Sequence, residues 1–165
     1  MLHRLLPWNC LLPCLLLGAC AAYAPPDTML GMSREALLAR MGQPDIERRL
    51  TEGSRLEFPR GPYGKHTWFV YLDAHGRVSR AEQVLTERNF SHVDVGMTQD
   101  DVRQLLGRPG EVQLLGRARG VVWNYRYENN FCQWFQVELS QQQQVRSAGY
   151  GEPPECQHPN DRVSR

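Results

Sequence analysis

The sequence predicts an α+β fold of two tandem repeats, each with short helices packed on a three- to four-stranded antiparallel meander. A punctuated helical stretch occurs twice, from Gly31 to Pro44 and from Gly96 to Pro109. Its glycines have the same spacing in both copies, and each copy ends in Gly-x-Pro. Aromatic and β-branched runs separated by turn residues follow each stretch, which is typical of short strands.

The second stretch carries a complete set of helix signals. Thr98 can cap the N-terminus, and Asp101 three residues later completes a capping-box-like pair. Gly107 tolerates a left-handed backbone and Pro109 prevents the helix from resuming. One apolar stripe of period 3.6 is predicted to be buried: it consists of Val102, Leu105 and Leu106.

The first copy follows the same plan. Ser33 can cap its helix, and the predicted buried stripe is Leu37, Leu38 and Met41. Four extended segments are predicted after it: Ile46–Thr51, Arg55–Pro59, Thr67–Leu72 and Arg77–Leu85. A turn or two of helix capped by Thr86 then leads into the second copy.

The second set of strands is predicted at Glu111–Gly116, Val121–Tyr127, Gln133–Leu139 and Val145–Tyr150. In the helices, Gly31 of the first copy matches Gly96 of the second. In the strands, matching residues of the two copies are two positions further apart in the chain. We interpret this difference as a two-residue insertion between helix and sheet. The matched apolar pairs should mark the face packed on the helix: Leu56 and Trp123, Phe58 and Tyr125, Val70 and Val137, Leu72 and Leu139, Val78 and Val145.

The N-terminal segment is predicted to be a secretory signal of residues 1–19. Leu17-Gly-Ala-Cys20 resembles the lipobox of bacterial lipoproteins, a resemblance that implies acylation of Cys20 and anchoring without a transmembrane helix. Ala21 after the lipidated position favours the outer membrane. The alternative is an ordinary cleavage site with an incidental cysteine.

The rest of the chain divides into a tether at 20–27, a first repeat at 28–85, a second at 86–151 and an irregular tail at 152–165. With 41% hydrophobic and 22% charged residues, the composition is that of an ordinary folded domain. The net charge of +1 gives no indication of a nucleic-acid surface.

Two cysteines remain after removal of the signal and acylation of Cys20. Cys132 and Cys156 can form a single disulfide in an oxidising compartment. A metal site made by these two thiols and His158 is the alternative, and it lacks the Cys-x-x-Cys spacing of structural zinc sites.

No catalytic pattern is present in the sequence. The histidines His66, His75 and His92 are scattered, no serine has a nucleophile-elbow context, and the glycine-containing segment after Leu106 follows a helix instead of preceding one. We therefore predict a protein that is not an enzyme, with no cofactor and no metal.

Aromatic residues are concentrated on the predicted strands, and about half of them should face outward. Exposed aromatic side chains on one sheet face can mark a protein-binding surface. The candidate partner-binding residues are Tyr63, Trp68, Tyr71, Tyr127 and Trp134. Two alternatives stay open: the second repeat covers the outer face of the first, and the loop around Tyr63 is a plain hairpin loop.

The motif Gly96-Met-Thr, the Leu-Leu-Gly-x-Pro ending and Trp123-Asn-Tyr125 together resemble the SmpA/OmlA family of BamE-like outer-membrane lipoproteins. The lead-in from Leu85 to Thr98 is similar too. The similarity spans residues 85–150, with a looser copy over 30–85. It implies two helices against a three-stranded sheet at the periplasmic face of the outer membrane, and an accessory role in the machinery that inserts β-barrel proteins.

Tandem helix–sheet units are also similar to the β-lactamase inhibitor protein fold. The resemblances together imply a lipid-anchored outer-membrane protein that acts by binding, in envelope integrity or in β-barrel protein assembly. The alternative function is a periplasmic inhibitor or scaffold that grips one protein on a concave sheet surface.

Overall fold

The computed structural model describes residues 28–116 and 119–157. The predicted signal, Cys20 and the tether lie outside these residues, as does the end of the tail after residue 157. The first half contains α1 Arg34–Met41, β1 Ile46–Arg49, β2 Ser54–Arg60, β3 His66–Leu72 and β4 Val78–Gln83, with a short 3₁₀ turn at Pro62–Gly64 between β2 and β3. The second contains α2 Glu87–Phe90, α3 Gln99–Leu106, β5 Glu111–Leu115, β6 Gly120–Arg126, β7 Trp134–Leu139 and β8 Val145–Gly151.

Each half forms its own antiparallel meander. The strand orders are β1-β2-β3-β4 and β5-β6-β7-β8. Both sheets have a bulge at the same place, between Tyr71 and Leu72 and between Glu138 and Leu139. The predicted α+β class with two helix-plus-meander units is confirmed.

The helix ends follow the predicted punctuation. Thr98 Oγ1 accepts a hydrogen bond from the backbone N–H of Asp101 at 3.2 Å, and Asp101 Oδ2 accepts one from the N–H of Thr98 at 2.9 Å. This is the predicted capping box. Ser33 Oγ accepts a bond from Ala36 N–H at 3.3 Å, but no reciprocal bond to the Ser33 N–H forms, because the residue three positions later is an alanine.

The difference between the two caps predicts different costs of removing them. We expect Thr98→Ala to lower the free energy of unfolding by about 1–2 kcal/mol, and Ser33→Ala by about 0.5–1 kcal/mol, since the first change also leaves the Asp101 carboxylate without its hydroxyl partner. Urea unfolding followed by circular dichroism measures both. Equal losses would show that the hydroxyl bond from Thr98 to Asp101 adds nothing.

The strand pairing corrects one prediction. Ile46 lies opposite Glu57 in the first sheet, and Glu111 lies opposite Asn124 in the second. Ile46 and Glu111 are therefore equivalent positions of the two repeats. The number of residues between them is the same as between the two helices. The larger offset between the repeats therefore begins only at β2 and β6. The predicted insertion between helix and sheet is wrong: the two extra residues lie in the hairpin loop before β6, where extra chain disturbs neither the helix cap nor the ladder.

The matched apolar pairs are buried, as predicted. In the first half they pack with α1 through Leu37 and Met41. In the second half they pack with α3 through Val102 and Leu106. Leu38 and Leu105 are partly buried at the edges of these two cores.

Helix α3 also contacts the other face of the first sheet. Phe69 on β3 belongs to the same buried cluster as Val102 and Leu106. Arg55 Nη1 donates a hydrogen bond to the carbonyl of Gln104 at 2.9 Å, which satisfies one of the free carbonyls at the end of α3. The first sheet is thus covered on both faces, which is the alternative left open by the sequence.

Candidate functional site

Tyr63 lies in the loop between β2 and β3, and 61% of it is exposed. Its ring nevertheless has a partner, because the guanidinium of Arg126 lies 4.9 Å from the ring centroid. The backbone carbonyl of Tyr63 approaches Gly110 so closely that a side chain on Gly110 would meet it. The loop therefore packs the first repeat against the second as well as exposing an aromatic ring.

Trp68 and Tyr71 are half-buried on opposite sides of the first sheet. Tyr71 donates a hydrogen bond from its hydroxyl to Glu82 Oε1 at 2.9 Å, and the guanidinium of Arg80 lies 3.9 Å from its ring centroid. Burial and the bond to Glu82 raise the pKa of Tyr71. Tyr71 also packs against the buried cluster that contains Val102 and Leu106, so both aromatic side chains are largely occupied by neighbours.

Tyr127 and Trp134 are buried, so the expectation that they face outward is wrong. The ring of Tyr127 packs edge-on against Phe90 of α2, with centroids 5.0 Å apart. Burial and the neighbouring Glu87 raise the pKa of Tyr127 to about 12. Trp134 is covered by Arg126, whose guanidinium lies 4.6 Å from the ring. The five candidate aromatics therefore do not form one exposed surface.

Arg126 is a residue that the sequence reasoning missed. It is 5% exposed and stands between the rings of Tyr63 and Trp134. It forms an ion pair with Glu155 of the tail, and Glu111 Oε2 lies 3.9 Å from its Nη2. A buried guanidinium needs such partners, because removing a charge from water is costly unless it is paired.

A disulfide between Cys132 and Cys156 holds the tail beside Arg126, with the two Cα atoms 6.4 Å apart. Pro153 is buried in the same tail segment. The disulfide and the ion pair between Glu155 and Arg126 thus hold the tail at one end of the second sheet.

Glu57 is a second buried charged residue, 2% exposed at the contact between the repeats. Its Oε1 accepts a hydrogen bond from the backbone N–H of Arg108 at 2.6 Å. Burial raises the pKa of Glu57, although the Arg108 N–H and the charge of Arg55 act in the opposite direction. The neighbouring carboxylate of Asp45 also raises it.

This shift gives the stability a pH dependence. Because the pKa of Glu57 is higher in the folded state than in the unfolded chain, the folded state binds more protons just above the ordinary value of 4.5. The free energy of unfolding should therefore fall as the pH rises through that window, relative to the variant Glu57→Gln. Urea titrations from about pH 4 to about pH 7 test this. Parallel curves for the two proteins would contradict it.

An open groove of about 780 Å³ lies between β4, α2 and α3. Its apolar part is formed by Met97 and Leu105. Charged and titratable side chains of both signs line the rest: Glu82, Arg88, His92 and Asp101. Among residues 28–116 and 119–157, no group of three or more His, Cys, Asp or Glu residues is placed to hold a metal ion. The groove suits a polar partner with an apolar anchor.

The family model described as the outer membrane protein assembly factor BamE domain matches residues 82–147. Residues 82–147 are therefore similar to a BamE domain. The match begins at Glu82 near the end of β4 and extends into β8, so it includes every residue that lines the groove. The first repeat lies outside the BamE match almost entirely, and its origin as a second copy of the BamE domain stays a prediction.

No curated protein matches the chain. Among solved structures, the chain is similar to an extracellular protein containing an SCP domain from Bacillus anthracis, at 15% identity and a TM-score of 0.28. That match covers 81% of this chain and 51% of the other, so the chain spans about half of that protein's length. A DUF4309 family protein, YjgB, from Bacillus subtilis is 10% identical with a TM-score of 0.30, covering 73% and 78%. At these TM-scores, neither similarity supports a conclusion about the fold or function of this chain.

Within the described part of the chain, no helix is long and apolar enough to cross a membrane.

Proposed function

We propose that this protein is an outer-membrane lipoprotein that acts by binding, in envelope integrity or in the assembly of outer-membrane β-barrel proteins, without enzymatic activity. The observation that carries the proposal is the BamE match over residues 82–147. Acylation of Cys20 would tether the folded domain to the periplasmic face of the membrane through residues 20–27.

The groove between β4, α2 and α3 is the proposed contact with the assembly machinery. Its charged rim gives orientation and its apolar part gives a place for an anchoring side chain. Helix α3 is held from both sides by the two sheets, so the groove has a rigid wall. The alternative inhibitor function finds less support, because both faces of the first sheet are already covered.

Site-specific photocrosslinking in intact cells tests this proposal. A crosslinking amino acid at His92 or Gln104 in the groove should capture a subunit of the assembly machinery. The same amino acid at His75, which is exposed in the hairpin loop between β3 and β4, is the control. Capture of one soluble enzyme from the groove, with its activity altered, would instead favour the inhibitor function.

The lipid anchor has its own test. Mass spectrometry of the membrane fraction should find Cys20 acylated at the N-terminus of the mature chain. The variant Cys20→Ser should leave the membrane fraction. Unmodified Cys20 in membrane-bound protein would contradict the anchor and leave the groove experiment unaffected.

A further inference from the structure

Strand β5 ends the second sheet with an open edge. No strand pairs with its outer side among residues 28–116 and 119–157. Two of its aliphatic side chains are exposed, Leu114 by 80% and Val112 by 53%. An open edge that carries apolar side chains is a template for pairing with another chain, and folded proteins ordinarily protect such edges with charges, prolines or bulges.

The equivalent edge of the first sheet has that protection. Since the strand pairing makes the starts of β1 and β5 equivalent, Val112 and Leu114 correspond to Glu47 and Arg49 of β1. Glu47 forms an ion pair with Arg34 of α1 at 2.8 Å. The same place on the two repeats thus carries charge in one and exposed aliphatic groups in the other.

The remaining edges resemble β1 more than β5. Strand β4 carries Arg80 and Glu82, and β8 carries Arg146 together with two glycines. Strand β5 is the edge with two exposed branched aliphatic residues and a single charge, Glu111. Its apolar character is therefore a local property and not a general feature of the sheets.

A cavity of about 590 Å³ lies beside this edge. Leu114 pairs with Val121 of β6, so both point to the helix side of the sheet, and both line the cavity. Gln99 of α3 contributes a polar group to the cavity. Alternate side chains of a strand added to β5 would face this cavity, because side chains of neighbouring strands share a face at every second position.

We propose that the β5 edge binds an extended segment of a partner protein by β-strand addition, and that the segment carries apolar residues at alternate positions. Main-chain hydrogen bonds to β5 supply affinity, and the apolar residues cover Val112 and Leu114 and enter the cavity. This site lies on a different element from the groove, and the proposal depends neither on the lipid anchor nor on the assembly role.

The small size of the patch argues against a second copy of this chain as the occupant. A five-residue strand with two exposed aliphatic side chains offers far less than the roughly 800 Å² per partner that stable complexes bury. An extended segment does not need to bury that much surface on the rest of the domain, because its backbone forms hydrogen bonds with the edge strand along its whole length.

Two synthetic peptides of identical composition test the proposal with the full chain purified in detergent. In the peptide KVTVTVTVK the valines alternate, whereas in the control KVVTTVVTK they do not. Fluorescence anisotropy should show at least about tenfold tighter binding of the alternating peptide. Hydrogen exchange measured by mass spectrometry should slow in the segment Glu111–Leu115 when that peptide is bound.

A double variant gives β5 the residues of β1. Val112→Glu with Leu114→Arg should weaken binding of the alternating peptide about tenfold or more, because charge returns to the edge. Phe131→Arg is the matched control, since Phe131 is 76% exposed in the loop before β7 and its replacement should leave binding unchanged. Circular dichroism checks that both variants are folded.

Three results would overturn the proposal. The first is peptide binding that the double variant does not weaken, or slowed exchange only in other strands. The second is a dimer of the chain that Leu114→Arg dissociates, which would make a second copy the occupant. The third is protection of β5 in the free protein by a terminal segment of its own chain.

Discussion

Replacing Gly107 by alanine should lower the free energy of unfolding by about 4 kcal/mol, whereas the same change at Gly42 should cost about 2 kcal/mol. Both glycines end a helix with φ near +75° and ψ near −165°, a conformation that is strained for any side chain. The positions differ in what surrounds them. A Cβ at Gly107 would lie 2.6 Å from Glu57 Oε1 and 3.1 Å from Phe69 Cε1, but at Gly42 nothing lies within 4 Å.

Neither neighbour of Gly107 can move away cheaply. Glu57 is buried and its Oε1 is held by the N–H of Arg108, so a displaced carboxylate would leave a buried donor unsatisfied. Phe69 is packed inside the shared cluster between the repeats. The backbone strain common to both glycines cancels in the comparison, and the difference of about 2 kcal/mol reports overpacking at the contact between the repeats.

Urea unfolding of the two variants and the parent protein measures this difference. A third variant sharpens it: in the background Glu57→Ala, where the carboxylate is absent, the further cost of Gly107→Ala should shrink because the main obstacle has been removed. Equal losses at Gly42 and Gly107 would mean that the end of α3 does not pack on the first sheet.

The secondary structure was predictable because its signals are local. The Gly-x-Pro endings and the capping pair of Thr98 and Asp101 specify the helix within a few residues of chain. Strand boundaries agree closely for the same reason: β7 was expected from Gln133 and begins at Trp134. The matched apolar pairs were predictable from alternation, since one face of each strand packs on a helix.

The packing of one repeat on the other was not predictable in this way. Arg55 and Glu57 look like solvent-facing residues of β2, and their partners Gln104 and Arg108 lie far along the chain, in and just after α3. Local alternation cannot show that a later helix will cover the face that carries them. The burial of Trp134 has a similar origin, because Arg126, which covers its ring, is paired with Glu155 of the distant tail.

The open edge of β5 was also not predictable, because alternation along a strand does not show which strand lies at the edge of a sheet. If the larger offset of the later strands held for all of them, Leu114 would align with Glu47, and Val112 with Asp45 before the start of β1. Only the strand pairing shows that β1 and β5 still follow the alignment of the helices. In either alignment Val112 and Leu114 correspond to charged residues of the first repeat, and the strand pairing identifies these as Glu47 and Arg49.

Removing the disulfide should have the second large effect on stability. The variant with both Cys132→Ser and Cys156→Ser should lose roughly 3–4 kcal/mol of unfolding free energy, as loop entropy predicts for a bridge across 24 residues. The reason lies in the unfolded chain, which becomes freer without the link. In the folded chain, the tail is then held near Arg126 mainly by the ion pair with Glu155.

Reductant distinguishes this effect from damage caused by the substitutions. Added to the parent protein, it should lower the urea midpoint to that of the double serine variant, and it should leave the variant's own midpoint unchanged. A parent protein insensitive to reductant would show that the bridge does not form in solution. Loosening of the tail also leaves the guanidinium of Arg126 less covered, so tryptophan fluorescence should change in parallel with the loss of stability, because the ring of Trp134 lies 4.6 Å from that group.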